Sequence, residues 1–167
     1  MGASGGCCRE AGCMVSTAAA VRAAVGRADL GEVDRIVAAD RRAVRTLLGL
    51  CYQADDAVRD VAATGVALAA RHHPKLVSEI VRRLVWAMND ESGTNAVTVP
   101  AVIRKIAEVA PELLVPVVPE LLRLTIDPLL RDELVASVRR VAEEMPGEAA
   151  RAVRSGLGRC GEGGGRR

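Results

Sequence analysis

Between residues 16 and 155 the apolar side chains recur at separations of three and four, and no stretch alternates with the period of two that a half-buried strand requires. The pattern predicts helix almost throughout and no β-sheet. Three of the helical runs meet a proline, at Pro74, Pro111 and Pro146, spaced 37 and then 35 residues apart. A fixed period of that size predicts stacked helical hairpins, because one hairpin cannot bury its own apolar face and needs its neighbour to cover it.

The copies can be laid on one another. Asp55-Asp56-Ala57-Val58-Arg59-Asp60, running to His73-Pro74, matches Asp127-Pro128-Leu129-Leu130-Arg131-Asp132, running to Met145-Pro146, at a constant offset of 72. Leu76, Leu84, Val85 and Asp90 match Leu113, Leu121, Leu122 and Asp127 at an offset of 37. Each unit then reads as a first helix (75–88; 112–126), an Asp-marked turn and a second helix (56–71; 99–110; 128–145). Asp127 is suited to cap a helix with Pro128 at its first position, and Thr98 to cap one entering at Val99-Pro100. Pro116 and Pro119 fall inside the 112–126 helix and are expected to bend it or delay its start.

Composition narrows what such an array can do. Half of the 167 residues are apolar, but there is no Phe, one Tyr (Tyr52) and one Trp (Trp86), so the core must be built of interlocking aliphatics. Two rings cannot supply a stacking platform for single-stranded nucleic acid or an aromatic cage for a methylated cation. The net charge of +2, with 26% charged residues, describes a mixed surface rather than a polycation, so binding to nucleic acid is not expected from charge alone. No apolar run approaches the roughly 20 residues that span a bilayer, and no membrane association is expected.

The two ends read differently from the middle. Residues 1–15 are rich in Gly and Cys and 156–167 in Gly and Arg, so both are expected to be flexible, flanking a helical repeat domain at 16–155. Met1-Gly2 followed by Cys7-Cys8 suggests lipidation, but Gly6 stands where the myristoylation pattern needs Ser or Thr, and the apolar stretch of a signal peptide is missing.

Four groups of side chains are candidates for function. Asn89, Asp90, Glu91 and Ser92 cluster at a turn between helices, where they have the oxygens to hold a hard cation or a basic partner residue; lacking the alternate-acid spacing of a calcium loop, they are read first as caps. Arg104-Lys105 and Arg139-Arg140 occupy the same place in successive second helices, seven and six residues before a proline. If those helices line one face, the dyads form a basic stripe with members about 10 Å apart, fit for an acidic peptide or a phosphate backbone. Pairing of Arg104 with Glu108, and of Arg139 and Arg140 with Glu143 and Glu144, would instead make it a solvated face. Trp86, one turn after Arg82 and Arg83, has the residue type of a binding anchor, although its neighbours Ile80, Leu84, Val85 and Met88 favour core packing.

Cys7, Cys8 and Cys13, with His72 and His73, lack the paired spacing of a zinc site, and five cysteines do not make a disulfide framework. Cys51 reads as a small apolar filler and the histidines as residues of a helix C-terminus. No nucleophile elbow, phosphate loop, dinucleotide fingerprint or His-Glu-x-x-His motif occurs, and neither a metal nor a cofactor is expected.

The recurring Asp followed by a hydrophobic-Arg step (Val58-Arg59; Leu130-Arg131) and then an Ala/Val/Leu helix resembles the HEAT-repeat superfamily over about residues 30 to 155. More narrowly, Arg82-Arg83-Leu84-Val85-Trp86-Ala87-Met88-Asn89-Asp90-Glu91-Ser92-Gly93 is similar to a motif of short prokaryotic HEAT-type proteins. In those proteins the Gly is usually followed by a Gly-Ile-Gly-Trp stretch and a proline; here Thr94-Asn95-Ala96-Val97 stands before Thr98-Val99-Pro100.

The resemblance implies an all-α fold, a short HEAT-like right-handed α-solenoid of three to four helical hairpins. It also implies a non-catalytic scaffold that binds another protein on the concave face of the second helices and at the Asn89–Gly93 turn, in the cytoplasm. Two side branches, one like chromophore-attaching lyases and one that excises alkylated bases from DNA, imply the alternative of an enzyme accessory binding a small ligand or nucleic acid. That alternative calls for a deep pocket between repeats, the scaffold for a shallow elongated groove.

Overall fold

The computed structural model describes residues 16–89 and 98–144, with Gly147, Ala150, Arg151, Val153 and Ser155 beyond them. The expected leader and tail, and Asp90, Glu91 and Ser92, lie outside the described residues. Among the described residues the regular structure is helical and no strand occurs. The helices are α1 (Thr17–Gly26), α2 (Leu30–Ala39), α3 (Ala43–Leu50), α4 (Asp56–His72), α5 (Pro74–Asn89), α6 (Val99–Val109), α7 (Val118–Leu124) and α8 (Pro128–Glu144), with a 3₁₀ segment at Pro111–Val117 between α6 and α7.

Local chemistry sets where the helices begin and end. Ser16 accepts from the Ala19 amide to open α1, Asp29 from Glu32 to open α2, and Asp55 from Ala57 and Val58 to open α4, each satisfying amides that the first turn leaves without a partner. Between α1 and α2 the Ala28 amide bonds the Val25 carbonyl and the Asp29 amide the Ala24 carbonyl, the crossed pair of a Schellman motif. Ala28 occupies its left-handed position at φ 53°. Asp40, just past α2, accepts from the Arg42 amide and from the Thr17 hydroxyl at 2.8 Å, bonds that hold its carboxyl below the usual range and tie α1 to the end of α2.

The buried face of α5 is Val77, Ile80, Val81, Leu84, Val85 and Met88, a stripe at steps of three and one that a helix turns to one side. Helix α4 differs: it buries Ala62, Ala63, Gly65, Val66, Ala67, Ala69 and Ala70, because it packs against α1, α2, α3, α5 and α6. Small residues let five neighbours approach one axis. At Gly65 the approach is closest, since a Cβ there would lie 2.8 Å from Val33 Cγ1 and 3.0 Å from Leu47 Cδ2. Both of those side chains are fully buried and have no room to retreat.

Helices α2, α4, α6 and α8 lie side by side in that order, every second helix contacting the next, while α5 packs on α4, the 3₁₀ segment and α7. One continuous aliphatic core runs from Val21 to Val153 through these layers, with no aromatic side chain in it.

The 112–126 segment is not one helix. Pro116 has no amide to close an α-helical bond, so the chain takes tighter 3₁₀ turns until Val118, and Pro119 then falls in the first turn of α7, where its missing donor costs nothing.

The internal repeat is visible bond by bond. The Asp55 carboxylate receives the Ala57 amide, and Asp127, 72 residues later, receives that of Leu129. Arg59 donates to the carbonyls of Gln53 and Ala54, and Arg131 to those of Thr125 and Ile126, again 72 residues on. In both copies the Asp starts a second helix while the Arg closes the turn that precedes it.

Candidate interaction surface

Helix α6 is bound to both of its row neighbours by the basic pair from its middle. Lys105 Nζ lies 2.9 Å from Asp60 Oδ1 of α4, and its side chain is only 18% exposed. Arg104 Nε lies 2.8 Å from Glu133 Oε2 of α8. Both atoms are shielded from water, yet the N–H is too far off line to make a hydrogen bond, so the tie is a charge contact rather than an aligned bond. The expected Arg104–Glu108 pair is therefore replaced by a cross-helix one. Packing of α8 on α6 puts Glu133 beside the arginine in a partly desolvated place, where attraction exceeds that to an exposed residue one turn along.

On α8 the expected pairing also shifts. Arg140 takes both carboxylates, Glu144 at 2.7 Å and Glu143 at 3.6 Å, and Arg139 has no ion pair among the described residues. Arg104, Arg139 and Arg140 do come together, around a cleft of about 310 Å³ between α6 and α8 that Glu108, Ala136 and Glu143 complete. Lys105 is not part of it.

A second cleft, of about 270 Å³, lies at the start of α6 among Asp56, Arg59, Asp60, Thr98, Arg104 and Glu133, with Cys51, Ala63, Ala101 and Val102 as its apolar lining. Burial pushes the Cys51 thiol up to about 12, which makes it inert filler, as its sequence position suggests. Thr98 does not cap α6 as expected. Pro100 has removed one of the two amides a cap could bind, the backbone of Thr98 is helical rather than extended, and its hydroxyl is buried at the cleft without a hydrogen bond. Arg104 lines both clefts.

The α5 candidates stand on a different layer. Arg82 and Arg83 are exposed, and Arg82 borders a shallow depression with Lys75, Ser78, Glu79 and Leu113. Trp86 is 70% exposed, which corrects the expectation of core packing. Its position is about 200° round the helix from Leu84 and from Met88, so the same turn that buries those two points the indole outward. Asn89 donates to the Val85 carbonyl and accepts from Arg123 of α7 at 2.6 Å, so it locks α5 to α7. Arg123 was not singled out in the sequence, although it directly follows the matched pair Leu121-Leu122 at the repeat offset.

The histidines tie α4 to α2: His72 Nε2 lies 3.0 Å from Asp34 Oδ1, and His73 Nε2 donates to the Val37 carbonyl at 2.9 Å. Among the described residues no three His, Cys, Asp or Glu side chains gather as a metal site, and no helix is long and apolar enough to cross a membrane. Compared with protein-family models, curated proteins and solved structures, the chain matches none.

Proposed function

We propose that this chain is a short right-handed α-solenoid of HEAT type that works without catalysis, binding an extended segment of another protein along the α4–α6–α8 row. The observation that supports this most directly is a pair of open clefts that share Arg104, lie along successive second helices and are walled by charged side chains. Open clefts of that form suit a peptide lying across several helices, whereas a reaction centre needs an enclosed, mostly apolar pocket with convergent polar groups. The identical turn bonding of Asp55/Arg59 and Asp127/Arg131 supports the repeat architecture. Along the row Arg139 is the side chain best placed to meet a partner's carboxylate, since Arg104, Lys105 and Arg140 are already paired within the chain.

The test is affinity capture with the purified chain and an Arg139→Glu variant, each verified as folded by circular dichroism. The reading requires a protein partner retained by the parent chain and lost or sharply reduced with Arg139→Glu. Equal retention by both would refute the row as the binding face.

A further inference from the structure

The cleft at the start of α6 concentrates polar groups that the fold leaves incomplete. Among the described residues, the buried side-chain oxygens and nitrogens that make no hydrogen bond are Thr98 Oγ1, Arg104 Nε and Glu133 Oε2, and all three belong to residues lining this one cleft. Such atoms are rare in folded proteins, and their gathering in one place calls for an explanation beyond packing. On the α4 side the cleft is bordered by Asp56 and Asp60, one turn apart, a spacing at which two like charges on a helix repel. Each is engaged through Oδ1 alone, Asp56 by Arg59 and Asp60 by Lys105, so among the described residues both Oδ2 atoms are without a bond. Their side chains are 87% and 62% exposed and open to a ligand.

The cations beside them are more fully committed. Arg59 also donates to the Gln53 and Ala54 carbonyls, Arg104 holds its Nε against Glu133, and Lys105 is largely buried and stands behind the lining. The sequence from 90 to 97, which precedes Thr98, adds Asp90 and Glu91 and no cation. What the cleft retains is therefore acceptor capacity, on Asp56, Asp60 and Glu133. Its complement is a cation with several donors in fixed directions, which describes a guanidinium better than the point charge of an ammonium. The volume of about 270 Å³ suits one long side chain and falls short of the roughly 300–1,000 Å³ of small-molecule and cofactor sites. Ala63, Ala101 and Val102 supply apolar wall for a methylene stem.

We propose that this cleft receives an arginine side chain of the bound protein segment. The inference rests on the reading of the α4–α6–α8 row as a protein-binding face and adds a direction to it. The segment carries a basic residue at the α4–α6 cleft and an acidic one at the α6–α8 cleft, opposite Arg139, so the order of charges sets which way it lies.

The probe is arginine blocked at both ends, as N-acetyl-arginine N-methylamide, titrated into the ¹⁵N-labelled full chain and followed by amide chemical shifts. Blocked citrulline, of the same shape without the charge, is the control. Saturable shifts are expected around Asp56, Asp60, Thr98 and Arg104, with none from citrulline, and with affinity about fivefold or more weaker in Asp56→Asn/Asp60→Asn and at high salt. Both substitutions are at exposed side chains, and circular dichroism checks the fold. Arg139→Glu should bind blocked arginine like the parent. Absent or scattered shifts, an equal response to citrulline, or unaltered affinity in the double variant would overturn the proposal. Free arginine binding much more tightly than the blocked form would overturn it as well, by assigning the cleft to the amino acid itself. A protein partner lost with Arg139→Glu while blocked arginine gives no shifts removes this inference and leaves the binding face; local shifts with no partner captured remove the binding face and leave an arginine pocket.

Discussion

Arg131 repeats, 72 residues along the chain, the pair of hydrogen bonds that Arg59 makes: each guanidinium reaches back to the last two carbonyl-bearing residues of a turn, Gln53 and Ala54 in one copy, Thr125 and Ile126 in the other. A planar fork of fixed donors is preorganised to bridge two carbonyls, whereas a lysine ammonium lacks its reach and rigid geometry. Arg59→Lys and Arg131→Lys are each expected to cost about 1 kcal/mol, at the low end for charged hydrogen bonds because both side chains are partly in water. Urea unfolding measures this as a lower midpoint with an unchanged slope, and an unaltered midpoint in both variants would show the turns to be held by something else.

Gly65 and Gly49 predict opposite responses to the same substitution. Alanine at Gly65 gains helix propensity of about 1 kcal/mol but drives a Cβ into Val33 and Leu47, an overpacking cost of roughly 1–3 kcal/mol, so the net is expected to be destabilising. At Gly49 a Cβ meets nothing within 4 Å, so the propensity gain of about 0.5–1 kcal/mol stands alone. Melting temperatures should therefore move in opposite directions.

Ala28 holds the left-handed position of the α1–α2 turn, where a Cβ crowds the following carbonyl. Ala28→Gly removes that crowding, at the cost of a more flexible unfolded chain, and is expected to stabilise by about 1 kcal/mol. A rise in melting temperature is the readout; a fall would mean the turn carries no strain.

Cys51 gives a pH dependence with a definite sign. Its thiol is raised from 9.0 to about 12 by burial, so the folded state keeps a proton that the unfolded state gives up, and this contribution to stability is intact below pH 9 and declines as pH rises toward 12. Cys51→Ala, though less stable overall from the lost volume, should show a shallower decline over that window. In the native chain at neutral pH, peptide mapping after alkylation should find Cys51 unmodified, with labelling only on unfolding.

Much of this architecture was legible in the letters. Helix ends at His72, Asn89 and Val109 fall within a residue of where proline spacing and the Asp turns put them, because steric and capping rules act on near neighbours. The 72-residue offset proved literal at Asp127 and Arg131 for the same reason: a turn is closed by residues within six positions of one another. Pairings across helices were not legible. Glu133 for Arg104 and Asp60 for Lys105 depend on how α4, α6 and α8 settle side by side, and a sequence offers an i+4 partner more readily than a spatial one. Trp86 was misjudged through its apolar neighbours; counting its angle from Leu84 would have turned it outward. Thr98 does not act as a cap because its own backbone is helical and the proline two residues on leaves one amide fewer to bind.

Among the described helices, the one-after-another order of α2, α4, α6 and α8 leaves neighbours unequally clasped: α4 is held on five sides, whereas α8 rests on α6, α7 and the 3₁₀ segment. Deuterium should accordingly enter the amides of α8 before those of α4, the chain peeling from its C-terminal side while the first four helices stay closed.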